Sequence, residues 1–230
     1  MKPLITAATI SGLFAGIWII GKATSALQLF RVDSAAGQPS LKPGRFFFTS
    51  NLKRPNRFTL IRYRTSLSGM PAGHAPRPGL SLQTHRLCGL PGDVLEIKDG
   101  TLYVNGLNAD DQLDLVHTWK IRRKDSLSVV FDPQQSYTIP PYSDILYIAL
   151  EDKYVHNNQV PCERYILPAG LRDDAIFRVY KRNWNKDNFG PVRVPAGCWF
   201  VLGDNRSNAT DSRHLGFIEQ SKYIGTVLWK

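Results

Sequence analysis

Ser34, His85 and the run from Gly203 to Arg213 hold the residue types that could do nucleophilic chemistry in this chain. A serine hydroxyl attacks a carbonyl once a nearby base takes its proton, and histidine is a competent base near neutral pH. Three segments stand out in order. The first is Pro39-Ser40-Leu41-Lys42-Pro43-Gly44, which follows the N-terminal apolar stretch. The second is His85-Arg86-Leu87-Cys88-Gly89-Leu90-Pro91-Gly92-Asp93. The third leads from Asn188-Phe189-Gly190-Pro191 to Gly203-Asp204-Asn205-Arg206-Ser207-Asn208-Ala209-Thr210-Asp211-Ser212-Arg213 and then Gly216-Phe217. Asp211 and Arg213 read as an ion pair bracing their loop. His85, on an apolar strand, reads equally as a core histidine or as a base. If residues 34–36 are extended, the side chains of Ser34 and Ala36 face one side about 6.6–6.8 Å apart. A nucleophile and its base must come to roughly 2.6–3.2 Å. His74, His117, His156 and His214 lack metal-ligand spacing among themselves or with the cysteines, so no metal and no cofactor is expected.

The elements that must position these residues are mainly β. Phe58–Arg64 alternates like a half-buried strand, and Cys198–Leu202 is an apolar strand ended by Gly203. Val94–Lys98 and Thr101–Val104 flank Asp99-Gly100, the signature of a two-residue type I′ hairpin. A last strand is expected from Tyr223 to Trp229, and a helix from the Pro168–Asp174 segment to Tyr180. The loop from Ser66 to Gly79 is dense in breakers and reads as exposed. Pro3–Gly21 is an uncharged stretch of nineteen residues bracketed by Lys2 and Lys22. As a helix it spans about 28 Å, close to a hydrocarbon core of roughly 30 Å. A retained anchor is preferred over a cleaved signal peptide ending near Thr24-Ser25-Ala26.

Composition narrows the classes. The chain has 230 residues, 43% hydrophobic and 21% charged, which excludes a disordered protein. A single apolar stretch excludes a polytopic membrane protein, and three cysteines exclude a disulfide scaffold. One disulfide among Cys88, Cys162 and Cys198 is possible in principle, but Cys88 and Cys198 lie in apolar runs and read as buried thiols. The net charge of +10 is spread over Lys53–Arg57, Arg62/Arg64 and Lys120–Lys124. A membrane-proximal basic surface fits this spread better than nucleic-acid binding, for which solvated strand faces give the same pattern.

In this order, behind an apolar segment, the three motifs resemble the type I signal peptidase family of bacteria. The resemblance covers about residues 25–106 and 186–230. It implies a transmembrane helix (residues 1–30 with its juxtamembrane segment) feeding a coiled β-sheet domain with a small β cap (31–230), with an insertion at about 107–188. It also implies a single-pass membrane protein with the β domain outside the cytoplasm, acting on signal peptides of exported preproteins. In the family a Ser attacks, a neutral Lys takes its proton, and a Ser hydroxyl with a backbone N–H holds the oxyanion. The nucleophile position of the family pattern Ser-Met-x-Pro-Thr-Leu is Ala36 here, and the oxyanion Ser is Ser34. The base position is His85, as in the endoplasmic-reticulum branch, and the base-orienting Ser is replaced by Ala209. Pro39, Arg86, Gly203, Asp204, Asn205, Asp211, Ser212 and Arg213 keep their supporting places, whereas Gly44-Arg45 departs from the family's Gly-Asp. Two readings follow. One is a non-catalytic homologue that binds exported peptides or an active paralogue by strand addition. The other is an active membrane-bound serine endopeptidase that uses Ser34 with His85.

Overall fold

The computed structural model describes residues 26–66, 80–128, 137–138 and 143–229, with 11, 12, 16, 19, 21 and 24 ahead of them. Among these no helix is long and apolar enough to cross a membrane. Most of the expected anchor, and the expected loop after Ser66, lie outside the described residues.

The domain is mainly β. Its largest sheet is built from β1 (Gln28–Arg31), β2 (Phe46–Ser50), β3 (Leu60–Ser66), β4 (Leu80–Gly89), β13 (Cys198–Leu202), β14 (Ile218–Glu219) and β15 (Tyr223–Trp229), in the order β1-β2-β15-β3-β4-β13-β14. A second sheet joins β5 (Val94–Lys98), β6 (Thr101–Val104), β7 (Leu107–Asn108) and β12 (Phe189–Arg193). The third lies within the expected insertion: β8 (Val116–Arg122), β9 (Tyr137–Thr138), β10 (Ile145–Glu151) and β11 (Cys162–Arg164). Between the strands lie short helices α1 (Asp152–Asn157), α2 (Asp174–Tyr180) and α3 (Ser212–Leu215), and 3-10 turns at Ala35–Gly37, Arg123–Ser128 and Gln220–Lys222.

Local chemistry explains most boundaries. The β5–β6 hairpin turns at Asp99 and Gly100, both at positive φ (47° and 73°), as a type I′ turn demands. Helix α2 starts where the Asp173 carboxylate accepts from the Ala175 and Ile176 N–H groups at 2.8 and 3.1 Å. The expected strand from Phe58 begins only at Leu60, because Phe58 takes a left-handed φ of 66°. Its N–H instead reaches the Leu87 carbonyl at 2.7 Å.

Two apolar clusters sandwich the β3–β4 pair. Ile61, Tyr63, Leu87, Trp199, Val201 and Ile218 fill one face. Val32, Leu41, Phe47 and Leu60, with Phe30 against them, fill the other. Each large apolar side chain sealed here contributes about 1.5–3 kcal/mol, so both faces of this pair are fixed from far along the chain. All three cysteines are free thiols, Cys88 fully buried.

Candidate functional site

Gly203 is the point where the segments converge. A Cβ built on it would overlap the Ala209 Cβ, and would lie 2.7 Å from the Ala36 carbonyl oxygen and 3.5 Å from His85 Cδ2. Glycine is needed here for close approach, not for an unusual backbone angle. The next N–H but one closes the same contact: Asn205 N–H donates to the Ala36 carbonyl at 3.0 Å. Ala36, His85 and Ala209 are therefore neighbours across one backbone crossing.

The extended geometry considered for Ser34 and Ala36 is not the one adopted. Ala35–Gly37 is a turn of 3-10 helix, with Ser34 extended just before it. Ala and Gly give a strand no branched side chain to pack, and the carbonyl of Ala35 is taken by Gln38 N–H at 3.1 Å. Ser34 and Ala36 are consequently separated in environment: Ala36 is buried and Ser34 exposed.

His85 is fully buried on β4. Its Nδ1 lies 2.8 Å from the Tyr63 hydroxyl, and its Nε2 has no hydrogen-bond partner among the described residues. Burial pulls the imidazole down to about 4; Asp211 and Asp204 oppose this and Arg213 and His214 add to it. The ring is neutral near pH 7. To serve as a base through Nε2 it would have to donate Nδ1–H to the Tyr63 oxygen. Tyr63 itself is held neutral, its phenol pushed well above its ordinary value by burial and by Asp211.

The supporting residues form a dense ionic frame. Asp211 caps α3 through Arg213 N–H and accepts Gly203 N–H at 3.0 Å. The Arg213 guanidinium meets it in a fork, Nε to Oδ1 at 2.9 Å and Nη2 to Oδ2 at 2.8 Å, and also donates to the Arg206 carbonyl. Burial raises the Asp211 carboxyl, but Arg213 outweighs it and holds the group at about 2. The expected brace is thus present. Arg86 forms a second fork with Asp204, at 2.6 and 2.5 Å, and its Nη2 reaches Ser40 Oγ at 3.0 Å. Ser212 Oγ accepts Val201 N–H at 2.9 Å. Pro39 follows a cis peptide bond and lines a surface cavity of about 650 Å³ with Ser40, Lys42 and Arg45.

A family model described as signal peptidase, peptidase S26, matches residues 4–230. The chain belongs to that family. Signal peptidase I of Bacillus caldolyticus is 28% identical over 142 residues, covering 62% of this chain and 49% of that protein. Signal peptidase I of Buchnera aphidicola is 26% identical over 218 residues, covering 87% and 68%. A crystal structure of a signal peptidase I from Enterococcus faecalis matches at 23% identity and a TM-score of 0.36, covering 76% of this chain and 97% of that one. The chain spans about half the length of this Bacillus caldolyticus relative and of Bacillus subtilis signal peptidase I T.

Within the family frame, Ser34 and Ala36 belong to different local structures, and Tyr63 and Arg62 join the neighbourhood of the site. Ser34 does not share a side with Ala36 in an extended strand; it lines a cavity of about 40 Å³ together with Asp33, Gly37, Arg62, Leu82 and Thr84. Sequence reading gives Arg62 a place only in a basic group and assigns no site role to it or to Tyr63. Tyr63 is signalled only by the β3–β4 register, which sets Ile61 opposite His85. Arg62 reads from sequence as a solvated strand residue, yet it is 7% exposed.

Proposed function

We propose that this chain is a non-catalytic member of the signal peptidase family that holds the signal peptides of exported preproteins in an extended groove. The carrying observation is the pairing of Ala36, a methyl group, with the buried His85 and Ala209 around Gly203. A methyl cannot attack a carbonyl, and no hydroxyl meets His85 Nε2 among the described residues. The frame of Asp204, Arg86, Asp211 and Arg213 that would hold such a site remains intact. The alternative, an active serine endopeptidase using Ser34 with His85, is weakened by the exposure of Ser34 and the complete burial of His85.

A single-pass anchor formed by Pro3–Gly21 completes the proposal, with the β domain on the extracytoplasmic side. Leu29, Phe46 and Leu52, exposed at 42, 61 and 77%, gather early in the domain and support a membrane-facing edge. The test mixes the detergent-solubilised full chain with a preprotein and with its mature form lacking the signal peptide. Co-elution of the preprotein alone, at tens of micromolar, is expected. Equal retention of both forms, or of neither, overturns the peptide-holding role. An active paralogue is the further partner of the proposal.

A further inference from the structure

The Arg62 side of the β3–β4 pair carries a feature that peptide holding by itself does not require. The Arg62 guanidinium is enclosed by the Phe30 ring at 4.2 Å and the Phe47 ring at 5.6 Å. Its Nη1 donates to Thr84 Oγ1 at 2.8 Å, across the strand pair where residues 62 and 84 are direct partners. Its Nε is buried and has no hydrogen-bond partner among the described residues. No carboxylate among the described residues lies within ion-pair distance of it. Buried arginines are paired almost without exception, because an isolated cation is costly to take out of water. A guanidinium has five N–H groups in a planar fork that suits a carboxylate.

Arg62 also lines the cavity of about 40 Å³ shared with Asp33, Ser34, Gly37, Leu82 and Thr84. That space admits a carboxylate-sized group rather than a long side chain. The cavity lies beside an open strand edge. On one side β4 pairs with β3 from Arg86 to Leu80, whereas on the other β13 pairs only with Arg86, Leu87 and Gly89. Leu80–His85 therefore have no second partner strand among the described residues, and an extended peptide added there would run past the cavity mouth. Among the described residues Asp33 is the acidic one that lines the cavity. It is exposed, and it only partly offsets the lowering that burial imposes on Arg62.

We propose that the Arg62 cavity is a carboxylate site, taking the carboxylate of an extended peptide laid along the open edge of β4. The group is either the peptide's own C-terminal carboxylate or a short acidic side chain. This rests on the peptide-holding reading above, and gives this point of the groove an anionic preference.

The test measures binding of three fluorescent alanine-rich peptides to the detergent-solubilised full chain: a free acid, its C-terminal amide, and the amide with one internal Asp. Alongside, acetate is titrated against the Arg62 Nε–H resonance. Wild type should bind the free acid or the Asp peptide at least about tenfold more tightly than the plain amide. Which of the two wins identifies the source of the carboxylate. Arg62→Met should abolish the difference, and Arg62→Lys should keep part of it. Added salt should weaken the preference less than it weakens a surface ion pair. Equal binding of all three peptides overturns the carboxylate site and leaves the peptide groove standing. If no peptide binds, the groove reading fails, and acetate decides the site: a saturable shift of the Arg62 resonance supports it, and no shift overturns it.

Discussion

The two faces of the β3–β4 pair make opposite use of a buried polar group. On one face Tyr63 and His85 share a hydrogen bond between neutral partners, with His85 Nε2 left over. On the other, Arg62 and Thr84 share one under two phenylalanine rings, with Arg62 Nε left over. A neutral ring nitrogen without a partner costs about 1–3 kcal/mol, which a braced core absorbs. A buried cation without a counter-charge costs several kcal/mol. The first face is stable as it stands. The second is the one that would gain from a ligand, which is what the proposed carboxylate site requires.

The largest effect should come from breaking the frame on the His85 side. Asp211→Asn leaves Arg213 as a buried charge with a weakened partner, and should cost about 3–5 kcal/mol in urea unfolding. A loss under 1 kcal/mol would show that the pair is not what holds Gly203 and α3 together. Next in size is the acid response. His85 sits at about 4 against an ordinary 6.5, so its neutral form is favoured by folding. That contribution, on the order of 3 kcal/mol, is complete above pH 6.5 and lost as pH falls from 6.5 to 4. Asp211, held at about 2, is also favoured in its charged form, and its contribution is lost at lower pH, between about 4 and 2. Unfolding free energies measured from pH 7 to 3 should therefore drop in two stages. Flat stability between pH 6.5 and 4.5 would place His85 in contact with water. The smallest effect has the opposite sign: Arg62→Met should stabilise the ligand-free chain by about 1–3 kcal/mol, since it replaces an unpaired buried charge by an apolar side chain of similar length. Destabilisation would mean that Arg62 already has its counter-charge.

Much of this was legible in the chain itself. The Asp99-Gly100 hairpin, the β13 strand, the C-terminal strand and the helix ending at Tyr180 follow from turn chemistry, capping and alternation. The Asp211–Arg213 brace was legible from two opposite charges flanking one residue in a glycine-bounded loop. Arg62 was not. Alternation through Leu60-Ile61-Arg62-Tyr63-Arg64 buries one face of a strand and solvates the other, and nothing local says that β1 and β2 cover the second face. The 3-10 turn at Ala35–Gly37 was equally hidden, because two alanines and a glycine carry no periodic signal. The His85–Tyr63 contact depends on strand register between segments twenty-two residues apart, set by packing from β13 and β15.

The central claim is that the His85 face no longer transfers a proton to or from a serine. Its most direct test is prolonged incubation of a preprotein with a stoichiometric amount of the full-length chain, beside its Ser34→Ala variant, with products read by mass spectrometry. The account predicts an intact preprotein in both. A single defined cut made by the unmodified chain and abolished by Ser34→Ala would contradict it, and would make Ser34 the nucleophile and His85 its base.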